Sequence, residues 1–184
     1  MLHQREVGGV VMSEGVDRGS WLQFRGWWWK VLVMSLFLLL VPGTRGWCWH
    51  GYVLKVLDGD SLQIKRGNRI YEIRLYGIDA PEYRQAYGQQ ARSYTSALTL
   101  KKTVTVLPRD VDRYGRTVAL VKSRGRLVNR ELVRKGLAWV YPRYCRERKL
   151  CAKLDKDQQQ ARKARRGLWR GEHPQPPWQW KRRR

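Results

Sequence analysis

Apolar and polar positions alternate with a period of two over the first part of the chain after position 48. Residues 49–57 read as a strand that ends at the Asp58-Gly59 turn, and residues 61–65 alternate again up to Arg66-Gly67-Asn68, a hairpin signal. In residues 69–76, Ile70, Glu72, Arg74 and Tyr76 fall on one face, and Tyr71, Ile73 and Leu75 on the other. The period then changes. Residues 85–100 carry Ala91, Tyr94, Ala97 and Leu98 at helical spacing. Two further alternating runs, 103–107 and 117–122, flank the turn Asp112-Arg113-Tyr114-Gly115. Residues 127–135, closed by Gly136, and 151–166, closed by Gly167, read as helices that stop at a glycine.

Three strands in a meander, a helix, then two more strands is the order of a five-stranded OB-fold barrel, here with about three helices. An SH3-like barrel has the same number of strands, but the interposed helix argues against it. Both ends of the chain depart from this pattern. An apolar run at 31–41 follows Arg25, Trp27-Trp28-Trp29 and Lys30, and breaks at Pro42-Gly43. It is short for a membrane span and fits the apolar region of a signal peptide, with an uncleaved anchor as the competing reading. The expected organisation is therefore a leader over 1–46, a barrel domain over 47–170, and a Pro/Trp-rich basic tail over 171–184, extended and poorly ordered. Export to the periplasm or the medium follows from the leader, with membrane attachment only through that leader if it is retained.

Charge narrows the partner. The chain of 184 residues has 38 Lys and Arg against 15 Asp and Glu, a net charge of +23. After position 46 the balance is still 33 to 12, so basicity is not a property of one tail. A polyanion partner is implied, and DNA, with RNA as an alternative, is the commonest; a monomer suffices for such binding. The tail's Lys181-Arg182-Arg183-Arg184 would add salt-dependent affinity for a strand. Cys145 and Cys151 lie six positions apart, and in an oxidising compartment they would close a short loop. Cys48 has no evident role. His50 and His173 lack metal-spaced partners, and no Gly-rich phosphate loop or Ser-His-Asp set is present.

Within this polycation, Asp58, Asp60, Asp79 and Glu82 sit in two short motifs, D-G-D-S and R-L-Y-G-I-D-A-P-E, followed later by D-R-Y-G-R. Hydrolysis of a phosphodiester needs an activated water, a hard cation at a phosphoryl oxygen, and fixed positive charge for the transition state. Asp60 and Asp79 end adjacent expected strands and could converge on one ion; Asp58 suits the turn itself. The three motifs, in this order and at these intervals, resemble the thermonuclease, or staphylococcal nuclease-like, family over roughly residues 49–169. The resemblance implies a calcium ion on Asp60, Asp79 and the carbonyl of Ala80, where the family's best-known pattern has Thr. A carbonyl ligand survives that change and a hydroxyl contact does not. It implies Glu82 as the residue that positions or deprotonates water, Arg74 and Arg116 as phosphate clamps, and Tyr114 and Tyr141 as nucleotide contacts. It also implies cleavage that leaves 5′-hydroxyl and 3′-phosphate ends with little base specificity. The rival reading is a non-catalytic nucleic-acid-binding module on the same barrel.

Overall fold

The computed structural model describes residues 47–183, so the leader and its reading lie outside the described residues. Five strands close a barrel: β1 (Trp49–Val56), β2 (Ser61–Arg66), β3 (Arg69–Leu75), β5 (Thr103–Val111) and β6 (Thr117–Ser123). β1 pairs antiparallel with β2 and β5, β2 with β3, and β5 with β6. A parallel pairing of β3 with β6, Arg74 opposite Val118, shuts the ring. Closure leaves no free edge between β3 and β6, which an open sheet of these strands would expose. The OB-fold order expected from the sequence is the order found.

The alternation explains the core. Val53, Leu62, Ile64, Ile73, Leu75, Val104, Val106 and Val121 are buried inside the ring, while Ile70 and Glu72, on the opposite face of β3, are exposed. Each such aliphatic side chain contributes about 1.5–3 kcal/mol relative to exposure. The helices α1 (Gly88–Thr99), α2 (Val128–Arg134) and α3 (Arg148–Lys163) cover the barrel with Ala91, Leu98, Leu132, Val133 and Leu154. Asn129, on α2, is a buried polar residue with its needs met. Its Oδ1 accepts from Val121 N (3.1 Å), and its Nδ2 donates to Tyr76 O (3.0 Å) and Ala119 O (3.3 Å). It thereby holds α2 across the β3–β6 seam.

Four features differ from the pattern reading. β5 runs to Val111 rather than stopping before Pro108; a bulge between Pro108 and Asp110 accommodates the proline's missing N–H and lets the pairing resume. α1 begins at Gly88, not at 85, because residues 82–85 form a turn of their own. α3 begins at Arg148, three residues earlier than expected. Finally, residues 171–183 are not an extended free arm: they form the short helix α4 (Pro177–Trp180) and a further 3-10 turn, with Pro177 buried. Three two-residue strands also have no signature in the pattern. β4 (Ile78–Asp79) lies antiparallel to β8 (Trp139–Val140), with Asp79 opposite Trp139, while β7 (Arg126–Leu127) folds back antiparallel on the end of β6.

Candidate active site

The D-G-D turn after β1 and the β3–β4 corner bring two acids together. Asp58 Oδ1 accepts from the Asp60 amide at 2.9 Å, which folds the turn back on itself. A side chain on Gly59 would meet Ala80 Cβ at 2.6 Å and Ala91 Cβ at 2.8 Å, so only glycine lets this turn press against β4 and α1. Thr95 Oγ1 on α1 donates to Gly59 O at 2.6 Å and fixes it there. Asp60 Oδ2 in turn accepts from the Ala80 amide at 2.5 Å.

Asp60 and Asp79 are both about 1 % exposed. One terminal nitrogen of the Arg74 guanidinium donates to Asp60 Oδ1 and the other to Asp79 Oδ1. A single guanidinium reaches both, so the two carboxylates face one point. Burial pushes the Asp60 carboxyl well above the ordinary range; Arg74 opposes this, while Asp58 and Asp79 add to it. Burial works against the Arg74 charge too, but the carboxylates of Asp60 and Asp79 outweigh it and hold its pKa above the ordinary value.

Among the described residues, no three His, Cys, Asp or Glu side chains converge as a metal cluster. An ion shared by Asp60 and Asp79 would complete its shell from main-chain carbonyl or water oxygens. Hard divalent cations accept that donor set, and two carboxylates already packed against a single cationic group fit it.

Glu82 follows three residues after Asp79, on a turn held by its own backbone. Its amide donates to Gln85 Oε1 at 3.2 Å, and its carbonyl accepts from the Gln85 amide at 2.9 Å. A side chain on Gly88, at the start of α1, would lie 1.9 Å from Glu82 O, so this glycine lets the turn close against the helix. Glu82 Oε1 is 2.8 Å from Lys181 Nζ, and the same ammonium is 3.7 Å from Asp79 Oδ1. Glu82 and Asp79 therefore face the same space. Gln85 and Lys181 escape a motif-based reading. The glutamine could have been suspected from its place three residues after Glu82, the separation at which a Gln side chain reaches back to a main-chain amide. Lys181 carries no local signal.

Arg116 is placed differently. Its Nε donates to Asp112 Oδ2 at 2.8 Å, while Asp112 Oδ1 accepts from the amides of Arg116 (3.0 Å) and Tyr114 (2.9 Å). Burial pushes the Asp112 carboxyl up, but the bonds from Arg116 and Tyr114 together outweigh it and hold the carboxyl below the ordinary range. The Arg116 guanidinium also lies 3.9 Å from Glu72, two residues along β3 from Arg74 and on the same face. Arg116 thus reaches the rim of the Arg74 face without touching either buried aspartate. Tyr114 is exposed between the guanidiniums of Arg113 (4.8 Å from its ring) and Arg116 (5.5 Å).

Tyr141 follows β8, and its amide donates to Gly77 O at 2.9 Å, which puts it beside the strand that carries Asp79. One face of its ring is stacked on Trp178 at 4.6 Å and 7°, and Tyr144 meets it edge-on. Cys145 and Cys151 form a disulfide that closes the loop beyond it. The Tyr76 hydroxyl accepts from the amides of Arg146 (2.8 Å) and Glu147 (3.1 Å) and ties that loop to the end of β3. Cys48 is a free, exposed thiol. An open depression of about 490 Å³, lined by Trp49, Tyr71, Thr117 and the Pro108 to Val111 stretch of β5, contains none of Asp60, Asp79 and Glu82 and is not this site.

Comparison with known proteins gives a consistent set of likenesses. A family model described as staphylococcal nuclease homologue matches residues 72–171, a span that takes in Arg74, Asp79, Glu82 and Arg116. The chain is 41% identical over 136 residues to an "uncharacterized endonuclease" of Escherichia coli O157:H7, across 73% of this chain and 86% of that protein. It is 33% identical over 155 residues to a "micrococcal nuclease" of Shigella flexneri, across 79% and 88% of the two chains. An "uncharacterized endonuclease" of Haemophilus influenzae is 36% identical over 159 residues, across 83% and 85%.

Proposed function

Since this chain belongs to the staphylococcal nuclease homologue family, we propose that it is an exported, calcium-dependent endonuclease. It hydrolyses phosphodiester bonds of DNA, with RNA as an alternative substrate, shows little sequence preference, and leaves 5′-hydroxyl and 3′-phosphate ends. The observation that carries this reading is the convergence of Asp60 and Asp79 on one guanidinium, with the Glu82 carboxylate facing the same space.

Asp60, Asp79 and the carbonyl of Ala80 would hold the calcium ion. When bound, a divalent cation there supplies charge neutralisation at a phosphoryl oxygen. Glu82 orients the attacking water and takes its proton as the new P–O bond forms and the P–O5′ bond breaks, and the departing 5′ oxygen takes up a proton from solvent water. Arg74 and Arg116 offer paired N–H donors to phosphate oxygens, which suits the planar guanidinium fork better than an ammonium. Their interaction strengthens as negative charge builds up on the phosphate. Tyr114 and Tyr141 offer aromatic faces and hydroxyls to the nucleotides on either side. Nothing in the site resembles a groove-reading element, so contacts to phosphate and sugar position the strand without reading its sequence.

Export is supported by the Cys145–Cys151 disulfide, a bond that persists in oxidising compartments, and by the apolar run at 31–41. The test is digestion of single-stranded DNA by the purified full chain, first with calcium and then with excess chelator, with end-group analysis of the products. Cleavage that stops in chelator and leaves 3′-phosphates is the expected result. Strand binding without turnover in any divalent cation would replace the enzyme with a non-catalytic binding module.

A further inference from the structure

Residues 171–183 lie on the face that carries the acids. Gln85 Nε2 donates to Gln175 O at 2.6 Å, from the same side chain whose Oε1 holds the Glu82 amide. Three residues on, the Trp178 indole lies parallel to the Tyr141 ring at 4.6 Å and meets Trp139 edge-on at 5.9 Å. After a further turn of helix, Lys181 Nζ reaches Glu82 Oε1 at 2.8 Å and Asp79 Oδ1 at 3.7 Å. One short segment therefore touches the water-handling acid, one of the two metal-type carboxylates and the aromatic face beside them.

We propose that this arm is an intramolecular competitor for the active site: Trp178 covers the Tyr141 face on which a nucleobase would stack, and Lys181 occupies the acids that a divalent cation and a water would engage. The proposal rests on the nuclease reading of the site. The chemistry of each contact matches the ligand it would exclude. An indole is a flat π system of nucleobase size, and base–aromatic stacking in single-strand binders draws on the same faces and the same offset geometry. The ammonium is a cation placed between two carboxylates, but it carries one charge where calcium carries two and cannot take several oxygens into a shell.

Tethering makes such weak mimics effective. A segment that is part of the chain acts at a millimolar-scale effective concentration, so it needs no intrinsic tightness to hold the site when ligand is scarce. It also makes them displaceable. Lys181 is half-exposed, and an ion pair of that kind contributes little in water. Calcium and a strand that bind only the arm-free form would shift the population toward it in proportion to their differential affinity. The bond between Gln85 and Gln175 breaks in that transition, while the bond between Gln85 and the Glu82 amide needs no change. The catalytic turn therefore keeps its shape with the arm off. A free basic arm that merely grips the strand predicts the opposite sign for every one of these contacts.

The experiment uses the full chain and its Lys181→Gln and Trp178→Ala variants, with thermal melts to show that each is folded. Calcium titrated calorimetrically without nucleic acid should bind Lys181→Gln about 2–5-fold more tightly than the parent, the range expected for removing a half-exposed ion pair. A labelled oligothymidylate followed by anisotropy in excess chelator, with its integrity checked afterwards, should bind Trp178→Ala at least about 5-fold more tightly, the scale of one base–aromatic stack. Unchanged calcium affinity in Lys181→Gln would overturn the proposal, and so would weaker oligonucleotide binding by Trp178→Ala, which would make the arm a wall of the substrate site. Lys181→Gln lies on the surface and settles the question even if Trp178→Ala fails to fold. If the parent chain binds neither calcium nor oligonucleotide, the nuclease reading itself falls and the arm proposal falls with it; if parent and variants bind both alike, only the arm proposal falls.

Discussion

Arg74 opens one short motif and Arg116 closes another, with the same chemical group, yet the molecule treats them in opposite ways. Arg74 is on a barrel strand, mostly buried, and engaged at both terminal nitrogens by two fully buried aspartates. Arg116 is at the end of a turn, partly exposed, and paired to Asp112 on its own loop, with Glu72 farther off. The first belongs to a buried network whose members depend on one another for their charge. The second can leave its partner to water at little cost. Two arginines from neighbouring motifs can therefore differ widely in what they do for the folded state. Arg74 neutralises the pair of acids, and Arg116 at the rim is the one that, in the proposed mechanism, meets substrate at little cost to the fold.

The largest effects should come from the acids on the Arg74 side of the molecule, Glu82 and Asp60. Glu82→Gln preserves volume and the turn but removes the proton acceptor, so single-turnover cleavage of a DNA strand should fall by about 10²–10⁴ with strand affinity little changed. Asp60→Asn should lose cleavage at least as far and lose calcium binding by calorimetry. It should nonetheless leave the melting temperature unchanged or raised, because an amide oxygen still accepts from the Ala80 amide without a buried charge. Full activity in Glu82→Gln would remove this acid from the chemistry and favour the binding module.

The comparison between the two arginines is sharpest in stability. Arg74→Ala leaves two buried carboxylates without a cation and should cost about 3–5 kcal/mol by denaturant unfolding in chelator. Calcium should then stabilise this variant more than the parent, because the ion takes over the neutralisation that Arg74 performed. Arg116→Ala should cost about 1 kcal/mol or less, as exposed pairs do, while single-turnover cleavage should fall far more than stability. Equal stability losses for the two variants would break the distinction.

The disulfide offers a more modest test, because its loop is tied through the Tyr76 hydroxyl to the end of the strand that carries Arg74. Opening this short loop by Cys145→Ser with Cys151→Ser should cost about 2–3 kcal/mol, read from melts with and without reductant. Insensitivity of the parent chain to reductant would show that the loop is held by packing alone.

The smallest effect belongs to the Arg116 side. The hydrogen bonds from Arg116 and Tyr114 hold the Asp112 carboxyl below its ordinary range. Its contribution is therefore present above the unfolded value of about 3.9 and is lost as pH falls below it toward the lower folded value. The parent should melt slightly above Asp112→Asn at neutral pH, and the gap should close below about pH 4. A gap that persists in acid would mean that the turn depends on something other than this charge.

What the sequence determined by itself is what short-range physics can encode. Alternation marked which face of β1, β2 and β3 is buried, because neighbouring side chains on a strand must point to opposite sides. The glycine-bearing turns and the order of strands and helix implied the barrel. The candidate acids and arginines were visible because each lies in a motif a few residues long, where the local backbone does the positioning. The tertiary structure decided everything that depends on a partner far along the chain. The pairing of β4 with β8 joins two-residue strands some sixty positions apart, too short to carry a period. Gln85 meets Gln175 across ninety positions, and Lys181 finds Glu82 only after α1, α2 and α3 have packed around the barrel. A run of Pro, Trp and Arg read alone is polar enough to stay in water. Its docking depends on the aromatic face of Tyr141 and Trp139 and on the acids beside them, surfaces that exist only once the barrel has closed.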